Sequence, residues 1–145
     1  MYTSTLEYFR ECALPLYRRY MDDHGADLRW AAVAAAHHIV DYYVLEKNPN
    51  ASRNDLQTTA MKFRQDAKLE QLGRIADAFK HGVKIEKDKS VAFANSTKED
   101  FFSIPNVFDE PNIYAISTIV IDGRPVSVNV TLKAAIDFWS NKLKP

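Results

Sequence analysis

The chain has 145 residues, of which 46% are hydrophobic and 26% are charged, so its size and composition predict one globular domain spanning residues 1–145. Its 19 basic and 19 acidic side chains balance. Without excess positive charge no global field would gather nucleic acid or an anionic membrane, and such a partner would need a local patch. Cys12 is the only cysteine, which excludes an intramolecular disulfide and a cysteine-built zinc site.

The beginning of the sequence gives an expectation about location. The first residues lack the basic start and apolar run of a secretory signal, and no window approaches the ~20 apolar residues of a membrane span. Together with the lone cysteine, this pattern predicts a soluble, cytoplasmic protein without a membrane partner.

Helical periodicity predicts a first helix from Ser4 to about Met21. Ser4 and Glu7 have the spacing of a capping box, in which the side chains of both residues satisfy backbone groups at the start of a helix. Pro15 is expected to bend this helix.

A second helix is predicted from Leu28 to about Glu46, with Asp27 as its N-cap. Apolar side chains occur on nearly every side of it, including Val33, Ile39 and Val44. A helix without a polar face is normally surrounded by other helices, so we expect this one at the centre of the fold.

A long third helix is predicted over residues 54–81, with Ser52 and Asp55 in another capping arrangement. Its apolar residues form two stripes displaced around the helix axis, which a kink or break near Lys68 would reconcile. Gly82 follows the helix and is placed to end it in a left-handed conformation.

The segment 83–131 is predicted to be a loop and β-hairpin insertion. Residues 83–93 contain short extended patterns, and residues 95–112 are typical of a long loop whose apolar side chains pack on the bundle. Its large apolar residues are Phe101, Phe102, Ile104 and Phe108.

Two β-branched stretches, residues 113–121 and 126–130, flank Asp122-Gly123, a strong signal for a two-stranded hairpin. Thr131 is expected to cap a final helix whose apolar face contains Leu132 and Trp139. The predicted fold is therefore mainly α: a four-helix bundle with a long aromatic loop and a β-hairpin before the last helix.

Two polar groupings stand out from this apolar background, and the first is on the second helix. At ~100° per helical residue, Asp41 projects between His37 and His38, so all three can line one groove. One interpretation is structural, with Asp41 accepting a hydrogen bond from one histidine and both histidines satisfied inside the bundle. The other is a ligand or metal site, because a carboxylate that bonds to an imidazole fixes its tautomer.

The second grouping is on the third helix, where Arg74, Asp77 and His81 form a ladder along one face. In the structural interpretation Asp77 pairs with Arg74, and His81 complements the negative end of the helix. In the catalytic interpretation an arginine and a histidine that project together bind a phosphate and move a proton.

The segment from Arg74 to His81 resembles the Arg-x4-6-His motif of HEPN domains, which are four-helix nucleotide-binding and ribonuclease modules of prokaryotic defence and toxin systems. The resemblance covers residues 28–81 and the final helix. It implies RNA cleavage without a metal, often at a dimer interface, with Arg74 holding the scissile phosphate and His81 handling the 2′-hydroxyl proton.

Three hypotheses about function follow. The first is a non-enzymatic binding or accessory module that contacts a protein partner or a second copy through the hairpin or the aromatic loop. The second is a HEPN-like ribonuclease, and the third is a metal or small-ligand site at His37, His38 and Asp41. The sequence contains no phosphate-binding glycine loop or serine-elbow motif, and it predicts no cofactor.

Overall fold

The computed structural model describes residues 1–81, 84–86, 89–93 and 118–144, and at residues 26, 81, 84–86 and 89–93 it describes the backbone alone. Five helices and a small antiparallel sheet make up this part of the chain. The prediction of a mainly helical fold with a β-hairpin before the last helix is confirmed. The aromatic loop expected at 95–112 and the Gly82 cap lie outside the described residues.

Helix α1 has three consecutive segments: an α-helical turn at Thr5–Tyr8, a π-helical turn at Phe9–Ala13, and an α-helix at Leu14–Asp23. The Ser4 hydroxyl caps its start by accepting from the Glu7 backbone N–H at 3.1 Å, as the capping box predicts. The irregularity expected at Pro15 occurs in the π-helical turn just before it, because a proline ring cannot donate to the carbonyl four residues earlier and collides with it.

Helix α2, Ala26–Lys47, lies at the centre, where it packs against each of the other helices. Its buried residues face several directions, which explains why the sequence shows no polar side; they are Ala32, Val33, Ala35, Ala36, Ile39, Val40 and Val44. The expected cap is wrong: Gly25 is the N-cap, and Asp27 lies inside the first turn, where its charge complements the helix end.

The predicted long third helix is two helices, α3 at Arg53–Asp66 and α4 at Glu70–His81. The break lies at the expected place, since Lys68 adopts a left-handed conformation with φ 59°. Ser52 caps α3 by accepting from the Asp55 backbone N–H at 3.2 Å. The break rotates the apolar stripe of α4 relative to that of α3, so that both helices pack on α2.

The sheet has four antiparallel strands in the order β1-β2-β3-β4: Lys84–Glu86, Lys89–Phe93, Thr118–Ile121 and Arg124–Ser127. The hairpin around Asp122-Gly123 is confirmed, and both turn residues have positive φ, 52° and 76°, as a two-residue turn of this kind requires. The hairpin is not an isolated ribbon, however, because β3 also pairs with β2.

Helix α5, Val128–Lys142, begins earlier than expected. Its N-cap is Ser127, which accepts from the Val130 backbone N–H at 3.2 Å, whereas Thr131 lies inside the helix and donates to the Ser127 carbonyl at 2.8 Å. The expected apolar face is buried at Leu132, Ile136 and Trp139.

Candidate functional site

His38, Asp41 and Arg64 form a polar cluster where α2 meets α3. His38 Nδ1 lies 2.8 Å from Asp41 Oδ2, and the Arg64 guanidinium donates to Asp41 Oδ1 at 3.0 Å. Burial alone would raise the pKa of the Asp41 carboxyl, but the hydrogen bond from His38 and the charge of Arg64 hold that pKa below its ordinary value. Both oxygens of Asp41 are therefore occupied, and the cluster links two helices.

The His37 side chain lies against α4 instead. A Cβ atom built on Gly73 would lie 3.1 Å from His37 Cε1, so glycine at this position allows the two helices to approach closely. Burial, with the positive charges of Arg64 and His38 nearby, lowers the pKa of His37 from 6.5 to about 4. The expected bond from Asp41 to one histidine is made by His38, but the prediction that it lies inside the bundle is wrong, because the His38 side chain is 59% exposed.

His37, Arg64 and Trp139 line a narrow void in the core that is too small to hold a water molecule. Arg64 Nε and Trp139 Nε1 are buried there, and neither has a hydrogen-bond partner in the described part of the chain. The other lining residues are apolar: Ala36, Val40, Leu69 and Leu72. The apolar lining of this void and the positive charge of Arg64 disfavour the charged imidazole of His37.

Arg74 connects α4 to the turn of the β3-β4 hairpin. Its guanidinium donates to both carboxylate oxygens of Asp122, at 2.8 and 3.0 Å, in a bidentate ion pair. The expected pairing of Arg74 with Asp77 is wrong, since Asp77 is exposed and makes no ion pair with any residue that the structure describes. The side chain of His81 lies outside the described part of the chain.

The His37 grouping on α2 and the Arg74 grouping on α4 do not line a common pocket, as far as their described side chains show. Arg74 lines an open cavity of about 320 Å³ together with Lys68, Glu70 and Gln71, whereas His37 lines the void in the core. In the portion of the chain that is described, no three histidine, cysteine, aspartate or glutamate side chains gather closely enough to hold a metal ion.

A third site, which we name the Tyr42 pocket, lies between α2 and the start of the chain. It has a volume of about 330 Å³ and an apolar lining with two carboxylates, those of Asp41 and Glu46. Its lining residues are Met1, Tyr2, Thr3, Ser4, Thr5, Asp41, Tyr42, Leu45 and Glu46. Of the sequence-predicted site residues whose side chains the structure describes, only Asp41 reaches it.

A fourth feature is a groove of about 280 Å³ between α5 and the break that separates α3 from α4. Ala134 and Phe138 line it from α5, and Leu69 and Leu72 line it from the other side. Val130, 62% exposed, lies one turn before Ala134. We name Val130, Ala134 and Phe138 the α5 surface.

Three of these partners were not found by sequence reasoning: Arg64, Asp122 and Glu46. Asp122 is recognisable from sequence only as a turn residue, and nothing in the local pattern assigns it to Arg74. Arg64 lies on α3, and nothing in the sequence pattern of that helix marks it as the partner of Asp41. A pairing between distant segments leaves no local signal, so the packed fold alone identifies these residues.

Comparison of the chain with protein-family models, curated proteins and solved structures finds no match. A helix of the length and apolar character needed to cross a membrane does not occur among the residues that are described.

Proposed function

We propose that this chain is a non-enzymatic binding module that contacts a protein partner, or a second copy of itself, through the α5 surface. The observation that carries the proposal is an apolar stripe beside a groove, in which Val130 and Ala134 are exposed and Phe138 is half-buried. Val130, Ala134 and Phe138 are spaced four residues apart, so they lie along one side of α5. An apolar stripe next to a groove of about 280 Å³ suits insertion of apolar side chains from another protein.

The edge of the hairpin suits a partner less well. Strand β4 is at the end of the sheet, and Pro125, which pairs with Val120, has no backbone N–H. Ile121 and Arg124 flank the two-residue turn, so they form a hydrogen-bonded pair across the hairpin. In the next pair, Val120 and Pro125, the backbone nitrogen of Pro125 therefore points away from β3, toward the open edge of the sheet. A proline there blocks the addition of another strand, so we assign partner binding to α5 rather than to this edge.

The polar groupings support a module without catalysis. Arg74 and Asp41 each hold a partner from another element, Asp122 and Arg64 respectively. His37 is neutral at neutral pH and faces a void without room for a substrate. The ion pairs of Asp41 and Arg74 connect elements of the fold to each other, so these charges stabilise the structure.

A photoreactive side chain placed at Ala134 tests the binding surface. We expect it to crosslink to a second copy at rising protein concentration, or to one partner in a cell extract, whereas the same group at exposed Gln57 on α3 crosslinks to neither. Val130→Lys should abolish the crosslink and any dimer seen by sedimentation velocity. A chain that stays monomeric and gives no crosslink at Ala134 contradicts the proposal.

A second candidate function is a HEPN-like ribonuclease, and the geometry of Arg74 favours it. A guanidinium that holds a carboxylate in a bidentate pair also fits a phosphate, and Arg74 lines an open cavity that a nucleic-acid backbone could enter. In this candidate Arg74 would exchange Asp122 for the scissile phosphate, and His81 would transfer the proton.

A labelled single-stranded RNA, incubated with the chain in the presence of a metal chelator, distinguishes the two functions. The binding module leaves the RNA intact. Cleavage that is lost in His81→Ala and retained in Lys80→Ala, a matched change one position earlier, would establish the ribonuclease and refute the non-enzymatic proposal.

A further inference from the structure

The exposed side of α5 has two charged residues beside its apolar stripe. Lys133 and Asp137 are four residues apart and form an ion pair along the helix, with Lys133 Nζ 2.5 Å from Asp137 Oδ2. Both side chains are more than half exposed, and we name the two residues the charged flank. At ~100° per helical residue, the charged flank lies on one side of Ala134, whereas Phe138 and the groove lie on the other.

The charged flank is complementary to a second copy of itself. When two identical helices pack antiparallel about a two-fold axis, each flank of one helix faces the same flank of the other. With Ala134 at the axis, Lys133 of one copy and Asp137 of the other lie within about 3 Å of the same level, since each residue advances the helix by about 1.5 Å. Charges of opposite sign therefore meet on both sides of the axis.

The apolar stripe fits the same arrangement. Val130 lies one turn before Ala134 and Phe138 lies one turn after it, so Val130 of each copy meets Phe138 of the other. Val130 is 62% exposed in a single chain, and this contact would cover it. The small side chain of Ala134 lets the helices approach closely at the axis. Lys68, a charged residue of the groove lining, is exposed, so its ammonium can stay in water.

We propose that the partner of the α5 surface is a second copy of this chain, packed antiparallel so that Lys133 of each copy pairs with Asp137 of the other. The proposal rests on the proposed function of the α5 surface and commits that surface to one partner. Two-fold symmetry requires a surface to match itself, and here the charged pair and the apolar stripe are centred within one residue of each other. The balanced charge of the chain adds no net repulsion between copies.

Reversing one charge at a time tests the pairing. In Lys133→Glu the charged flank becomes entirely negative, and in Asp137→Lys it becomes entirely positive, so each variant repels its own copy. Sedimentation velocity should show self-association about tenfold weaker, or more, for each variant alone than for the wild type. An equal mixture of the two variants should form a heterodimer, because a negative flank then faces a positive one. Arg53→Glu, the same reversal at an exposed position on α3, should associate like the wild type.

The mixture separates this pairing from a change within one chain. Both variants lose the same ion pair along α5, so that loss cannot explain a dimer that forms only when they are mixed. A mixture that stays monomeric while the wild type dimerises would overturn the antiparallel pairing. If the wild type stays monomeric at its highest soluble concentration and a photoreactive group at Ala134 crosslinks to a different protein, the second copy is wrong as the partner but the proposed function stands. If Ala134 crosslinks to nothing as well, both are wrong.

Discussion

We predict that His37 lowers the free energy of unfolding at acidic pH and that the substitution His37→Leu removes this effect. Burial lowers its pKa to about 4 in the folded chain, against 6.5 in the unfolded chain. Between these values the unfolded chain binds a proton that the folded chain does not, so acid favours unfolding. The stability that the neutral His37 contributes is fully present above pH 6.5, and it is lost as the pH falls toward about 4.

The size of the effect follows from the two pKa values. Linkage gives a loss of about 1.8 kcal/mol in the free energy of unfolding between pH 7 and pH 5, and of about 3 kcal/mol once the folded chain also binds the proton. The burial of the ring beside Gly73 and the positive charge of Arg64 are the structural reasons. These figures are large compared with the total stability of a domain of this size.

The variant His37→Leu should remove this dependence, since leucine fits an apolar site and does not titrate. Urea unfolding, followed by circular dichroism at several pH values, measures the free energy of unfolding of both proteins. The difference between them should change by about 1.8 kcal/mol from pH 7 to pH 5. Carboxylates titrate in both proteins and cancel in this difference.

His38→Leu is the matched control, because the His38 side chain is exposed and its ring lies only 5.3 Å from that of His37. This variant should keep most of the wild-type pH dependence. Parallel stability curves for the wild type and His37→Leu would show that the imidazole is not buried as described, and the reasoning would fail.

Three further substitutions test contacts that join elements. Ser127→Ala should destabilise the chain by about 1 kcal/mol through loss of the α5 cap, and an unchanged melting temperature would contradict that role. Tyr20→Phe should cost about 1–3 kcal/mol in urea unfolding, because it leaves the buried Asn129 Oδ1 without the hydroxyl that donates to it at 2.5 Å. Asp122→Asn keeps a residue that tolerates positive φ but removes the charge that pairs with Arg74. It should cost about 0.5 kcal/mol at low salt and nothing at high salt, and a loss that is independent of salt would exclude the ion pair as its cause.

The local elements were predictable because their signals are local. The Ser4 and Ser52 caps, the break at Lys68 and the Asp122-Gly123 turn all depend on residues within a few positions of each other. Errors occurred where two local signals competed. Thr131 is a residue type that often caps helices, but Ser127 is the N-cap of α5. Residues 128–130 are therefore helical, although they are β-branched or polar.

The partner of Arg74 shows where local reasoning stops. Asp77 lies one turn away on the same helix and was the expected partner, yet the guanidinium pairs with Asp122, 48 residues away. A bidentate pair requires a carboxylate that faces both nitrogens, and the hairpin turn presents one in that position. The four-stranded sheet and the helices that it contacts set the position of that turn.

By itself, the sequence determined the helices, the turn and the central place of residues 28–46, because caps, turn residues and apolar periodicity act between neighbours. Only the tertiary structure decided which polar side chains meet: Asp41 with Arg64 across 23 positions, and Thr5 with Glu46 across 41. The physical reason is that such contacts depend on how helices pack. A packing angle or a close approach at Gly73 moves a side chain by several ångströms without changing any local pattern.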